Sequence, residues 1–235
     1  MSWALLLAPL LGQATMKPED TQQWSPVPPA VEAPEGRAPS DAEILFDGRG
    51  LDAWTGKDGA APRWTVQDGV LRVAPRTGDI TSKAAFGDVQ LHIEWRTPRS
   101  ERQGQQRSNS GVFLMGLYEL QVLDSYKVPT YVNGQAGAIY KQHPPLVNAS
   151  RPPLQWQTYD VVFRAPRFQD GRVTEPARMT VLHNGLLVQD NVRLAGPTLH
   201  IGRPAYAPHP AALPITLQDH GDPIEYRNIW IRRLR

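Results

Sequence analysis

The chain has 235 residues, 40% of them hydrophobic, with a formal net charge of +2 and no cysteine. This length supports one sizeable core, and β-rich domains of this size need not split. The missing cysteines exclude disulfides, thiolate metal sites, a cysteine nucleophile and a lipoprotein anchor, and no basic block with interleaved aromatics argues for nucleic acid.

In chain order, residues 3–11 (WALLLAPLL) form an apolar run of signal-peptide length, too short to span a bilayer. Gly12-Gln13-Ala14 follows with small residues suited to cleavage, although no Lys or Arg precedes the run. Residues 1–14 are therefore expected to be a signal peptide and the protein to be exported, to a periplasm, with no membrane span. Residues 15–40 are proline-rich and lack aliphatic periodicity, which predicts a linker. One domain is then expected over residues 41–235.

From there, short alternating apolar runs are separated by turn residues, and the 23 prolines and 19 glycines suit such punctuation better than long helices. Residues 44–46 lead into Asp47-Gly48, and residues 64–67 and 70–73 flank the hairpin signal Asp68-Gly69. Val89–Arg96 alternates cleanly, with Val89, Leu91, Ile93 and Trp95 on one face and His92, Glu94 and Arg96 on the other. After a polar loop over residues 97–108, residues 111–115 and Tyr118–Leu123 make a hairpin. Its second strand sets Glu119 and Gln121 opposite Tyr118, Leu120 and Val122. Residues 137–140, Gln157–Arg164, 177–182, 186–190, 215–220 and 225–232 read as further strands, and Asn184-Gly185 marks another hairpin. The expected fold is all-β, a two-sheet antiparallel β-sandwich, with a closed barrel as the structural alternative.

Three strands repeat one arrangement: His92/Glu94/Arg96, Glu119/Gln121 and Thr216/Gln218/His220. The bland account is three solvated outer faces, with Glu94 in a surface ion pair and His220 simply exposed at a strand end. Against it, these positions carry groups that hydrogen-bond directionally, as a sugar-binding surface requires. The other histidines have no metal-ligand spacing, so neither a metal nor a cofactor is expected. Asp124 and Asp219 could offer oxygen ligands, but no segment resembles a calcium loop. Phosphate-loop and nucleophile-elbow motifs are absent.

The ordered series ILFDGRGLDAW, WTVQDGVLRV, ITSKAAFGDVQLHIEWR, NSGVFL, YELQVLDS, GAIY, TVLHNGLLVQDN and ITLQDHGDPIEYRNIWIRRL resembles the 3-keto-disaccharide hydrolase domain family. The resemblance runs from about Glu43 to Leu234. It implies a sandwich of the concanavalin A-like lectin/glucanase type (a jelly roll), with ligands on a concave face. It also implies export, and cleavage of glycosides whose sugar a separate oxidoreductase has already oxidised at C3. A C3 ketone acidifies the C2 proton, so a modest base can form an enolate that expels the C1 substituent, after which water adds back. Retaining glucanases of this fold set two carboxylates four residues apart on one strand. The position four after Glu119 is Leu123, which disfavours that chemistry.

Strand parity and residue type then assign roles. Glu119 or His220 is the C2 base and the other the acid, Arg96 stabilises the enolate oxygen, and Glu94 orients Arg96. Gln121 and Gln218 hold hydroxyls, Tyr140 and Lys141 border the site, and Asn109 joins the substrate-binding set. The leading alternative function is a non-catalytic carbohydrate-binding module of the bacterial envelope; a structural accessory domain is the third.

Overall fold

The structure, a computed structural model, describes residues 16–234. The apolar run assigned to a signal peptide lies outside the described residues. The chain forms two compact units, Met1–Val31 and Glu32–Arg235. The described part of the first contains one 3-10 turn, Pro18–Thr21, with no buried residue. The second begins ahead of the expected boundary at Asp41. The Ser40 N–H donates to the Glu32 carbonyl (2.9 Å), and the Ser40 hydroxyl accepts from the Glu32 N–H (3.0 Å). That clasp secures the entry to the first strand.

Fifteen strands make up the second unit among the described residues. The larger sheet has eight: β1 (Glu43–Phe46), β3 (Thr65–Gln67), β4 (Val70–Arg72), β6 (Val89–Arg96), β9 (Gln157–Arg164), β12 (Arg178–His183), β13 (Leu186–Arg193) and β15 (Glu225–Arg233). Their order is β13-β12-β9-β6-β15-β4-β3, with β1 also paired to β15. The smaller sheet runs β2-β5-β14-β7-β8, from Trp54–Thr55, Ile80–Phe86, Leu213–Leu217, Asn109–Leu114 and Tyr118–Leu123. β10 (Arg167–Gln169) and β11 (Arg172–Glu175) make a separate ribbon. Every pairing is antiparallel.

The chain is thus an all-β, two-sheet sandwich, and the alternation read from sequence is what packs it. Val89, Leu91, Ile93 and Trp95 of β6 are buried, with Tyr159, Val161 and Phe163 of the neighbouring β9. From the smaller sheet they meet Val112, Leu114, Tyr118, Leu120, Ile215 and Leu217, all likewise buried. The sheets touch through the Tyr118 and Phe163 rings, 5.5 Å apart between centroids. They are also stitched by hydrogen bonds, from the Tyr159 hydroxyl to the Gln121 carbonyl (2.7 Å) and between Ser110 Oγ and the Tyr226 hydroxyl (2.7 Å). Burying these side chains is worth roughly 1.5–3 kcal/mol each, and pairing their polar tips removes the cost of burying them bare.

Two expected strands differ. Residues 137–140 form only an isolated bridge, Ile139 to Leu120 and to His143, because the loop turns back at once. The strand expected over residues 215–220 is β14, which ends at Leu217; Asp219 and His220 lie in the turn that follows.

Candidate active site

Two outer faces remain, one per sheet, and they receive the predicted residues unequally. His92, Glu94 and Arg96 of β6 lie on the outer face of the larger sheet, opposite the buried Leu91, Ile93 and Trp95. There the Glu94 carboxylate accepts from Arg227 Nε (2.7 Å) and Asn228 Nδ2 (2.9 Å). Burial pushes its pKa up, but His92, Asn228 and Arg227 outweigh that and hold it at about 2. Arg96 is paired with Glu225 and lies over the Trp156 ring, 4.6 Å from its centroid. The expectation that Glu94 and Arg96 share a cleft with Glu119 is corrected here. The alternation along β6 holds, but β6 belongs to the other sheet, so these side chains point away from the smaller sheet.

The outer face of the smaller sheet carries the rest. A cleft of about 280 Å³ is lined by Asn109 and Phe113 from β7, Glu119 and Gln121 from β8, and Gln218 and His220 from the segment that follows β14. Tyr140, Thr198 and His200 complete it from two loops. Lys141 stands outside that lining: its ammonium donates to the His200 carbonyl and sits 5.5 Å from the Tyr140 ring centroid.

Glu119 is 5% exposed, yet burial alone acts on its carboxyl, with no hydrogen bond or cation to offset it. Burial drives its pKa to about 8. The room for this carboxyl comes from Gly111 on the neighbouring strand, where a Cβ would stand 2.8 Å from Glu119 Oε1 and 2.8 Å from the Phe113 ring. The backbone of Glu119 is fixed on its outer edge as well. Its N–H donates to Thr198 Oγ1 (3.0 Å), and its carbonyl accepts from the Tyr140 N–H (3.2 Å).

The amides divide into one that is committed and one that is free. Gln121 Nε2 donates to Asn109 Oδ1 (2.8 Å), and Asn109 Nδ2 donates to the Gln105 carbonyl (2.7 Å), so these two orient each other and tie the 97–108 loop to the site. Gln218 Oε1 is buried without a hydrogen-bond partner, which is costly unless something arrives to donate to it. On the loop side, the Tyr140 hydroxyl lies 2.7 Å from the Tyr131 hydroxyl and 3.5 Å from His200 Nδ1.

Three aspartates prove structural. Asp219 accepts from the Thr77, Gly78 and Gly221 N–H groups, and Asp124 accepts from Arg107 Nε (2.8 Å). Asp222 likewise accepts from the Asn109 N–H (2.9 Å) and pairs with Arg102. These bonds hold the β14–β15 turn, and with it His220, against both neighbours. Among the described residues no three His, Asp or Glu side chains cluster as a metal site would need.

Sequence reasoning missed Phe113, Thr198 and His200 as lining residues. Phe113 is on the parity of Glu119's partner position and could have been found from the hairpin register. Thr198 and His200 sit in irregular chain whose path no periodicity reveals.

A family model for the 3-keto-alpha-glucoside-1,2-lyase-like domain matches residues 41–232. The chain belongs to that family. The chain is similar to the 3-keto-disaccharide hydrolase of Bacteroides thetaiotaomicron, 23% identical over 87% of this chain and 83% of that protein. It is more closely similar to a candidate glycosyl hydrolase of Parabacteroides distasonis known from a crystal structure, 46% identical with a TM-score of 0.90 over 95% of this chain and 99% of that one. A second candidate glycosyl hydrolase from the same organism shares the fold, with a TM-score of 0.60 at 19% identity over 83% and 94% of the two chains.

Proposed function

We propose that the protein cleaves 3-keto-glycosides by elimination across C1 and C2, followed by hydration. The observation that carries this reading is Glu119: a buried carboxyl with no partner, raised to about 8, opening on a cleft of polar groups. A base of that strength matches an α-keto C–H far better than an ordinary carboxylate would. Family membership supports the substrate class, since the Bacteroides relative is named a 3-keto-disaccharide hydrolase.

In this account Glu119 removes the C2 proton, and the C–H electron pair moves into the C3 carbonyl to give an enolate. With Arg96 on the other sheet, the Tyr140 hydroxyl and the His200 ring are the donors available to the enolate oxygen. The enolate collapses, the C1–O bond breaks, and His220 gives its proton to the departing oxygen. Water then adds at C1 as C2 is reprotonated, so the net change is hydrolysis. Gln218 Oε1 accepts from a sugar hydroxyl, which gives that bare acceptor a partner. The 3-keto substrate requires a separate oxidoreductase upstream, and the apolar N-terminal run supports export to the periplasm, where the two would meet.

The test is incubation with a 3-keto-disaccharide beside its unoxidised parent, in D2O. Cleavage of the oxidised sugar alone, with deuterium at C2 of the released sugar beyond that of a no-enzyme control, is the expected result. Binding of both sugars without cleavage would make the domain a carbohydrate-binding module instead.

A further inference from the structure

The five strands of the smaller sheet present one residue each, in register, across their outer face. Thr55 pairs with Thr81, Thr81 with Thr216, Thr216 with Phe113 and Phe113 with Glu119. Thr81 and Thr216 share that face, their hydroxyls 3.3 Å apart. Four strand spacings separate the ends of this row, about 19 Å in all. Glu119 stands at one end. At the other, Thr55 and Thr81 line a second cavity of about 520 Å³, together with Lys57, Asp58, Asp79 and the side-chain-free rim at Gly56, Gly59 and Gly78.

The two ends differ in what lies beyond them. At β8 the sheet edge is occupied by chain. Gln121 N–H donates to the Ala138 carbonyl (3.0 Å), Gly137 N–H to the Gln121 carbonyl (3.1 Å) and Tyr140 N–H to the Glu119 carbonyl (3.2 Å). With Thr198 on the Glu119 N–H, that edge is covered, and Tyr140, Thr198 and His200 from the covering loops bound the cleft on this side. The cleft there, about 280 Å³, lies at the small end of ligand-pocket sizes, too tight for an extended oligosaccharide. A longer ligand must therefore run the other way, over Thr216 and Thr81.

The far cavity suits that continuation. Its side chains are hydroxyls, carboxylates and an ammonium, which recognise hydroxyl groups and not an apolar aglycone. It is also mechanically joined to the first, because Asp79 Oδ1 accepts from the Asp219 N–H (2.7 Å) in the turn that carries His220.

We infer that the sheet binds its substrate in a single direction, with the oxidised ring at the covered edge over Glu119. The leaving group lies across the threonine row, and its distal sugar sits in a second subsite at Thr55, Thr81, Lys57 and Asp79. The protein is then exo-acting, on ketones at the non-reducing terminus, and prefers a hydroxylated leaving group of more than one ring. The direction of the leaving group rests on the function proposed above; the second subsite itself does not.

Calorimetric titration of the full chain with unoxidised α-linked gluco-oligosaccharides of one to four rings tests the subsite without any turnover. Affinity is expected to rise at least tenfold between one ring and three. In the Lys57→Ala, Thr81→Val double variant that gain falls below threefold, with an unchanged melting temperature showing that the fold persists. Equal or undetectable binding at every length, or a gain that survives the double substitution, overturns the subsite. For the direction, KM is expected to be lower for a trisaccharide oxidised at its non-reducing end than for methyl 3-keto-glucoside, with the ratio moving towards one in the double variant. A lower KM for a trisaccharide oxidised on an internal ring overturns it. If the length dependence of binding holds but no 3-keto sugar is cleaved, the proposed function fails and the subsite stands.

Discussion

The outer faces of the two sheets carry the same kinds of side chain at the same period, and they differ in whether those side chains have partners. On the larger sheet, His92 Nδ1 lies 2.7 Å from Asp160 Oδ1, Glu94 is held by Arg227 and Asn228, and Glu225 sits between Arg72 and Arg96. Burial lowers the His92 pKa, but Asp160 and Glu94 outweigh it and raise it to about 9, while Glu94 sits at about 2. His92, Glu94 and Glu225 are thus each stabilised in the charged form. On the smaller sheet Glu119 and Gln218 Oε1 are buried without partners. A folded chain tolerates few such groups, and one site that holds two of them on a single face is built to receive something. Polarity does not distinguish these two outer faces; unmet hydrogen-bonding capacity at Glu119 and Gln218 does.

The largest effects should come from Glu119. Replacing it, as Glu119→Gln, is expected to lower kcat on a 3-keto-glucoside by about 10³-fold, the middle of the range for a general base. The same variant should be more stable than the parent. A carboxyl raised from 4.5 to about 8 keeps its proton in the folded chain over a window where the unfolded chain has lost it. Its contribution therefore opposes folding increasingly as pH rises from about 4.5 to about 8, and is constant above that. The loss amounts to several kcal/mol at about 1.4 kcal/mol per unit. Urea melts of the two proteins should coincide near pH 4 and diverge as pH rises.

Gly111→Ala comes next. Its Cβ would press on Glu119 Oε1 and the Phe113 ring, so activity should fall along with about 1–3 kcal/mol of stability, from crowding in a space that holds no spare atom. Gln218→Met should raise KM by about tenfold, the worth of one hydrogen bond, and leave stability level or higher because a bare acceptor is gone. The smallest catalytic effect belongs to the other face. Glu225→Gln weakens the contacts of Arg72 and Arg96 and should cost about 1–2 kcal/mol, discounted for the exposure of both arginines, with kcat changed less than twofold. A hundredfold loss of kcat in Glu225→Gln would erase the contrast between the two faces.

Much of the architecture was legible in the sequence because alternation is local. β6, β8 and β9 have the bounds that their apolar periods predict. Parity within a strand is equally legible and sets Glu119 with Gln121; the same alternation groups Gln218 with His220, although β14 ends at Leu217 and both lie just beyond it. Which strands share a sheet was not legible, since pairing between β6 and β15 joins residues more than a hundred positions apart. That step carried Glu94 and Arg96 to the wrong cleft. Thr198 and His200 were equally hidden, because loop paths follow tertiary contacts and have no period. Gly111 left a visible trace, a glycine inside a strand, which marks a place where something approaches closely.

The claim that Glu119 is the working base is tested most directly by the pH dependence of kcat/KM on a 3-keto-glucoside. The account predicts a rise governed by a single ionisation near pH 8 that is absent from the residual activity of Glu119→Gln. A profile already flat above pH 5, or one that keeps its alkaline rise in Glu119→Gln, would contradict it.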